Sequence, residues 1–187
     1  MTRLALYADL DRCTGCRSCV VACKEANGLP AGVSFIRLLQ IGPEGEFPEI
    51  GMYYLPLACQ QCERPSCADV CPEEAIALEE PGCLVVDGAK CTGCGACIES
   101  CPYGAILLDP VTRLARKCEL CGESTPLEDS PACVAACPGK ALQVVAVDVG
   151  GEQGANVGRQ AFALKADAGT RPVGRFILAR QGWRDLC

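Results

Sequence analysis

The sequence predicts an α+β fold in which short strands alternate with single helical turns. Two observations predict it. First, all but two of the 18 cysteines in the 187-residue chain fall into four groups of four, which is an internal repeat. Second, short strand-like runs such as Leu84-Val85-Val86 and residues 106–108 and 142–147 lie between or beyond the groups, and turn signals such as Asp87-Gly88 bound them.

The four groups share one spacing, with three cysteines close together and a fourth placed four residues after the third. They are Cys13, Cys16, Cys19 and Cys23; Cys59, Cys62, Cys67 and Cys71; Cys91, Cys94, Cys97 and Cys101; and Cys118, Cys121, Cys133 and Cys137. Proline follows the fourth cysteine in three groups, whereas Lys24 follows Cys23. Cys83 and Cys187 fit no group; we expect Cys83 to be a small, partly buried side chain.

The amino-acid composition narrows the classes of function that the chain can have. Aromatic residues make up only 5% of the chain, so the apolar core is thin and bound metal is expected to help hold the fold. The chain has no histidine, which excludes a histidine-based catalytic triad, a Cys2His2 zinc finger and a Rieske centre. The formal charge of −6 disfavours nucleic acid as a partner, because phosphates are bound by Lys and Arg.

The third group follows the bacterial 4Fe-4S run C-x2-C-x2-C-x3-C-P, from Cys91 to Pro102. Gly93 and Gly95 let the backbone pass close to a cluster. The third cysteine opens a helical turn, and a rise of about 1.5 Å per residue carries the fourth about 6 Å along the axis. That cysteine therefore reaches a second cluster, so the groups work in pairs and four groups imply four clusters. Their thiolates and cores bring the charge to about −14.

Zinc and disulfides are two other uses of cysteine. Zinc is the metal that isolated C-x2-C pairs usually bind, but it does not explain a fourth cysteine at fixed spacing. Disulfides are disfavoured because the spacing is metal-like and residues 1–13 lack the features of a signal peptide. No run approaches the roughly 20 apolar residues that span a bilayer. We expect a cytoplasmic protein, or one exported or membrane-associated only through a partner.

Outside the cysteine groups the expectations are local. The N-terminal segment, within residues 1–13, reads as a first strand, with Leu4, Leu6 and Ala8 on one face. Residues 34–41 and 52–57 read as two strands joined by a turn at residues 43–48. Residues 149–170 are expected to be irregular, with a last short strand at residues 175–180. This tail lies on a partner or is mobile, and Trp183 is a candidate anchor.

The arrangement resembles the four-cluster iron–sulfur subunits of the DMSO-reductase family of molybdopterin enzymes, which include polysulfide, thiosulfate, tetrathionate and DMSO reductases and formate dehydrogenases. The resemblance runs from about Leu4 to Val147 and includes the wide spacing of the fourth group, from Cys118 to Cys137. It implies a tandem bacterial-ferredoxin-like fold. One unit comprises residues 1–30 plus 110–148, and a second comprises residues 58–109. Residues 31–57 form an inserted β-hairpin, and residues 149–187 form an irregular, partner-binding tail.

The resemblance also implies ligands for four 4Fe-4S clusters, each held by three cysteines of one group and the fourth cysteine of another. The sets are Cys13, Cys16 and Cys19 with Cys137; Cys118, Cys121 and Cys133 with Cys23; Cys59, Cys62 and Cys67 with Cys101; and Cys91, Cys94 and Cys97 with Cys71. In such subunits the first-group cluster faces the catalytic subunit and the third-group cluster faces the exit.

The function implied is an electron relay without a catalytic site of its own. It would connect a molybdopterin (Mo or W) catalytic subunit with a soluble redox partner or a quinone-reactive membrane-anchor subunit. The alternatives are a four-cluster relay of a hydrogenase or carbon monoxide dehydrogenase, and a free polyferredoxin.

A basic residue precedes the leading cysteine of three groups, at Arg12, Lys90 and Lys117. A cation beside a cluster favours its reduced, more negative form and raises its potential. The simpler interpretation is a solvated surface charge, and the sequence alone leaves both open.

Overall fold

The computed structural model describes residues 2–122, 130–148, 161–162 and 169–177. The strands are β1 (Thr2–Asp9), β2 (Arg37–Glu44), β3 (Gly51–Leu57), β4 (Ile76–Glu79), β5 (Cys83–Val86), β6 (Ile106–Leu108), β7 (Ala115–Lys117), β8 (Leu142–Asp148), β9 (Ala161–Phe162) and β10 (Arg175–Ile177). The helices are α1 (Ser18–Ala26), α2 (Ser66–Asp69), α3 (Ala96–Ser100) and α4 (Ala132–Ala135). These short elements form a mixed α+β architecture.

Each helix carries the third cysteine of one group, and its length depends on the residue after the fourth cysteine. In α2, α3 and α4 the helix lasts four or five residues and ends before the Cys-Pro pair. Proline lacks an amide hydrogen and disfavours the helical conformation of the residue before it. Helix α1 has nine residues because Lys24 permits another turn after Cys23.

The largest sheet has the strand order β8-β1-β10-β9. Strand β1 pairs antiparallel with β8, with Leu4 opposite Ala146, and parallel with β10, with Ala8 opposite Phe176. The sequence pattern predicted that only one face of β1 is buried in the core. Ala5 on the other face is also fully buried. The reason is that a second small apolar cluster forms there around Ala5, Val147 and Val173.

Three two-stranded hairpins complete the fold. The expected insert forms β2 and β3, but β2 begins at Arg37 and extends to Glu44 through an irregularity after Ile41. Strands β4 and β7 were not expected, because three or four residues give little periodicity to detect. Strand β7 pairs with β6, although it lies beyond residue 109, where the second unit was expected to end.

The tail contributes to the chain's own sheet. Strand β10 falls at the start of the expected last strand, and Phe176 and Ile177 are each only 2% exposed. Strand β9 pairs with β10 inside a stretch expected to be irregular. Strand β10 is therefore covered by this chain itself. The expected strand residues 178–180, together with Trp183 and Cys187, lie outside the described residues.

Helix α1 packs against α4, and α2 packs against α3. This brings the first cysteine group beside the fourth, and the second beside the third. Six of the eighteen buried residues of the largest apolar cluster are cysteines, namely Cys19, Cys23, Cys59, Cys83, Cys118 and Cys133. In the described part of the chain, no helix has the length and apolar character needed to cross a membrane.

Candidate metal centres

A cavity lies against the first cysteine loop. Four cysteines line it, namely Cys13, Cys16, Cys19 and Cys137. The fourth of these is far away in sequence, and α4 and β8 carry it there. Leu38 and Pro56 of the β2–β3 hairpin complete the wall, so the insert covers this site.

A second cavity repeats this composition. Its cysteines are Cys71, Cys91, Cys94 and Cys97. Ile76, Val86 and Ala115 supply apolar walls. Among the described residues no three cysteine or acidic side chains converge on a single metal ion; in both cavities four cysteines surround an open space instead. Soft thiolates around a space of this kind fit an iron–sulfur cluster.

The fourth group lies beside Cys23 of the first. The Asn27 amide nitrogen Nδ2 is 3.7 Å from the sulfur of Cys23 and 4.0 Å from that of Cys121. Burial raises the pKa of the Cys133 thiol to about 12, and the neighbouring Cys23 and Cys121 contribute to this rise. Cys23 and the fourth group thus form a third close set of sulfurs.

The second group lies beside Cys101 of the third. Burial raises the pKa of the Cys67 thiol to about 12, and the nearby Cys59 and Cys101 reinforce this, while Lys117 opposes it. The pKa of Cys62 rises to about 11 from burial and the same two thiols. Every grouped cysteine therefore has neighbours from its own group or from the group that its helix packs against.

Burial and sulfur crowding oppose formation of thiolates. Burial also raises the pKa values of Cys19 and Cys23 to about 11, and that of Cys118 well above its ordinary value. The exposed Cys16 differs, because the Ser18 hydroxyl 3.4 Å from its sulfur lowers the pKa. A bound cationic metal core favours deprotonated thiols, so the buried groups suit metal ligation.

A repeated hydrogen bond supports the fourth cysteine of three groups. The amides of Ala75, Ala105 and Ala141 donate to the sulfurs of Cys71, Cys101 and Cys137 over 3.3, 3.4 and 3.2 Å. Each alanine is four residues after its cysteine, within a repeated Cys-Pro-x-x-Ala motif. The prolines stood out in the sequence but the alanines were missed, and the repeat was the signal that could have found them.

The first group obtains the same kind of contact in another way. Helix α1 continues past Cys23, so the backbone amide of Asn27 is used by the carbonyl of Cys23. The side-chain amide nitrogen of Asn27 also donates to the Cys23 carbonyl over 2.7 Å, and the same nitrogen lies 3.7 Å from the Cys23 sulfur. Arg116 holds this segment by donating to the Asn27 carbonyl over 2.9 Å, while its other guanidinium nitrogen pairs with Asp109. At Cys23 the N–H group near the sulfur is therefore a side-chain amide that is shared with the Cys23 carbonyl, whereas Cys-Pro-x-x-Ala provides a backbone amide elsewhere.

Gly93 is expected to be the less replaceable of the two glycines in the third loop. Gly93 has φ of 70° and Gly95 has φ of 85°, and L-residues pay about 1–2 kcal/mol for this left-handed conformation. A Cβ at Gly93 would also collide with the Arg113 carbonyl oxygen, whereas one at Gly95 meets open space. Gly93→Ala should therefore lower the unfolding temperature and iron content more than Gly95→Ala. Equal effects would show that the collision is relieved without cost.

The three basic residues that precede leading cysteines have different surroundings. Arg12 is exposed, and the Lys90 side chain is 59% exposed and 3.7 Å from Asp87. The surface-charge interpretation fits both. It is wrong for Lys117, which is only 2% exposed. Cys83 is also buried, as a packing residue would be, and its sulfur faces the carbonyl of Leu84.

Four cysteine loops, paired by helix packing around apolar cavities, define a ferredoxin-like iron–sulfur protein. Comparison with known families agrees, since the "4Fe-4S dicluster domain" matches residues 50–147 and the "4Fe-4S binding domain" matches residues 4–25. The chain belongs to this family of 4Fe-4S ferredoxin-like proteins. Its cofactors are 4Fe-4S clusters, and the grouped cysteines are numerous enough for four of them.

Three relatives indicate how the family is used. Protein NrfC of Escherichia coli K12 is 37% identical over 175 residues, covering 91% of this chain and 78% of the relative. A tetrathionate reductase subunit of Salmonella typhimurium is 38% identical, covering 74% of this chain and 56% of the relative. Thiosulfate reductase electron transfer subunit PhsB of Salmonella typhi is 37% identical, and the match covers 75% of this chain and 74% of the relative. The chain is thus an electron-transfer component and not a catalytic subunit.

Proposed function

We propose that this chain relays electrons through four 4Fe-4S clusters held by crossed ligand sets. Each set combines the first three cysteines of one group with the fourth of its packing partner. The sets are Cys13, Cys16, Cys19 and Cys137; Cys118, Cys121, Cys133 and Cys23; Cys59, Cys62, Cys67 and Cys101; and Cys91, Cys94, Cys97 and Cys71. The two cysteine-lined cavities support the first and last of these directly.

The neighbouring sulfurs support a single row of clusters. Cys19 of the first set lies close to Cys23 and Cys133 of the fourth-group set. Cys118 of that set lies close to Cys59 of the second-group set. Cys101 and Cys71 then join the second and third groups. The row therefore runs from the first group through the fourth and second to the third.

The observation that carries the relay function is the exposure at the two ends of this row. Cys16 in the first set and Cys94 in the third-group set are exposed, whereas Cys118 and Cys133 in the middle are buried. A relay needs both of its ends open to partners, and its middle enclosed. The bound clusters supply one-electron redox chemistry. The chain supplies the thiolates, their N–H donors and the apolar walls.

We propose that the partner at the first-group end is a molybdopterin-containing catalytic subunit, in line with the tetrathionate and thiosulfate reductase relatives. The β2–β3 hairpin covers this end and also presents Phe47, Ile50 and Met52, which are 88%, 52% and 49% exposed. Because these side chains belong to the hairpin whose Leu38 and Pro56 line the first cavity, we assign this apolar edge to the same partner. A soluble carrier or a quinone-reactive membrane-anchor subunit takes the third-group end. The complex works in the cytoplasm or is exported through its partner.

Metal analysis of the native complex tests this proposal. The complex would be purified anaerobically through a tag on this chain. We expect about sixteen iron atoms for this chain beyond those of the partner, with stoichiometric molybdenum or tungsten. Nickel in place of molybdenum or tungsten would instead assign the chain to a hydrogenase-type or carbon monoxide dehydrogenase-type enzyme. A monomer with no second metal would make it a free carrier.

Two surface variants make the test specific for one end. Phe47→Ser alters the turn of the β2–β3 hairpin, whose base lines the first cavity. Val111→Ser alters a side chain that is 81% exposed in the β6–β7 turn, on the third-group side. We expect Phe47→Ser to reduce recovery of the catalytic subunit several-fold and Val111→Ser to leave it unchanged. Equal recovery with both variants would contradict the assignment of the hairpin.

A further inference from the structure

Lys117 is a lysine buried at the end of β7. Its ammonium nitrogen Nζ donates to the carbonyl of Leu84 and, over 3.3 Å, to that of Cys118. An ammonium has three donors, so two carbonyls do not use them all. No carboxylate within residues 2–122, 130–148 or 169–177 forms an ion pair with it.

The surroundings of Lys117 join the two halves of the protein. Gln61, which is fully buried in the second cysteine loop, accepts from the Leu84 amide over 2.8 Å and donates to the Cys118 carbonyl over 3.0 Å. Lys117 contacts the same two residues. One small polar network therefore connects the second loop, strand β5 and the start of the fourth group. Cys59 and Cys118 are neighbours across it.

A buried cation without a counter-charge is strongly unfavourable. Two other charged groups lie near, because Arg3, Lys117 and Glu119 all act on Cys83. Arg3 is itself a cation, and the Glu119 carboxylate accepts from the amide of Val86 and is not within ion-pair distance of Lys117. Cys83 is no counter-charge either, since burial raises its pKa to about 11 and keeps the thiol neutral.

Negative charge is nevertheless expected on both sides of Lys117. Under the proposed ligand sets, a cluster with four thiolates and an oxidised core of about +2 carries about −2, and reduction adds one more negative charge. The second-group and fourth-group clusters would meet at Cys59 and Cys118. Two anionic centres in a low-dielectric interior repel each other, and a fixed cation between them offsets this repulsion.

We propose that Lys117 is the electrostatic bridge of the relay, a fixed positive charge that raises the reduction potentials of the two central clusters together. This inference rests on the proposed ligand sets. Without the charge, an electron entering the central pair would meet uncompensated negative charge from both clusters. Lys117 changes the reduction potentials of the clusters without serving as a ligand, because its nitrogen Nζ contacts the backbone carbonyls of Leu84 and Cys118.

The test compares Lys117→Met with Lys90→Met in the intact complex. Lys90 occupies the same position before a leading cysteine but is exposed, so it is a matched control. Reductive titration followed by EPR measures each cluster, and central signals are recognised by their loss in Cys62→Ser and Cys121→Ser variants. We expect Lys117→Met to change the reduced-to-oxidised ratio of the central clusters at least tenfold, a fall of about 59 mV for a one-electron couple. Lys90→Met should change no cluster as much as threefold.

Unmoved central potentials in a fully loaded Lys117→Met complex would overturn the proposal. If Lys117→Met does not assemble, Lys117→Arg separates charge from packing. Retention of iron in the Arg variant alone supports the bridge, whereas loss of iron in both variants assigns Lys117 to packing and overturns it. The proposed ligand sets are tested separately by the iron content of the unmodified complex. If they are wrong, this complex contains less iron than four clusters require.

Discussion

Replacing Cys13, Cys137 or both by alanine is expected to remove the same single cluster. Although 123 positions separate them in the sequence, both line the first cavity. Each single variant should lose about four of about sixteen iron atoms, and the double variant should lose no more than either. Iron analysis and EPR spin quantitation of the purified complex measure this directly.

Two further variants serve as controls for this experiment. Replacing Cys133 and Cys137 together should remove two clusters, because these close neighbours in sequence belong to different sets. Cys83→Ala should leave the iron content unchanged, because Cys83 is buried but lies outside both cavities. If each group instead held its own cluster, the Cys13/Cys137 pair would lose two clusters and the Cys133/Cys137 pair only one.

Removal of the clusters is expected to unfold the protein. Cysteines make up a third of the buried residues of the largest apolar cluster, and four cysteines line each of the two cavities. A core so dependent on its cofactors retains little without them, because metal binding and folding share one free energy. We expect the apoprotein to lose most of the about 5–15 kcal/mol that stabilises a typical domain.

Hydrogen exchange and circular dichroism before and after anaerobic iron chelation measure this loss. The amides that join β1 to β8 are the best reporters, because they connect strands far apart in the sequence. They should be protected in the loaded protein and exchange freely after chelation. Cys83→Ala, loaded with iron, controls for loss of a thiol as such. Persistent protection of β1 in the apoprotein would show that the polypeptide core suffices.

Local chemistry made much of the fold and site predictable. Thiolate ligation and helical spacing act over a few residues, so the four groups and the short helices at the third cysteines could be read directly. The inserted hairpin and strands β5, β6 and β8 were also predicted correctly, because apolar runs and turn signals are local. The 4Fe-4S family and the electron-transfer role followed from the same repeat, and the comparisons confirmed both.

Long-range packing decided the rest. Spacing implied that the fourth cysteine crosses to another cluster, but the pairing of β1 with β8 brings Cys137 beside Cys13. Lys90 and Lys117 occupy equivalent positions in sequence, yet one is solvated and the other buried, because only Lys117 is enclosed by Gln61 and Leu84 of other loops. The burial of Phe176 likewise required β1 as a neighbour. Sequence thus determined which groups can bind clusters, and tertiary structure decided what surrounds them, because burial and partner choice depend on residues distant in the chain.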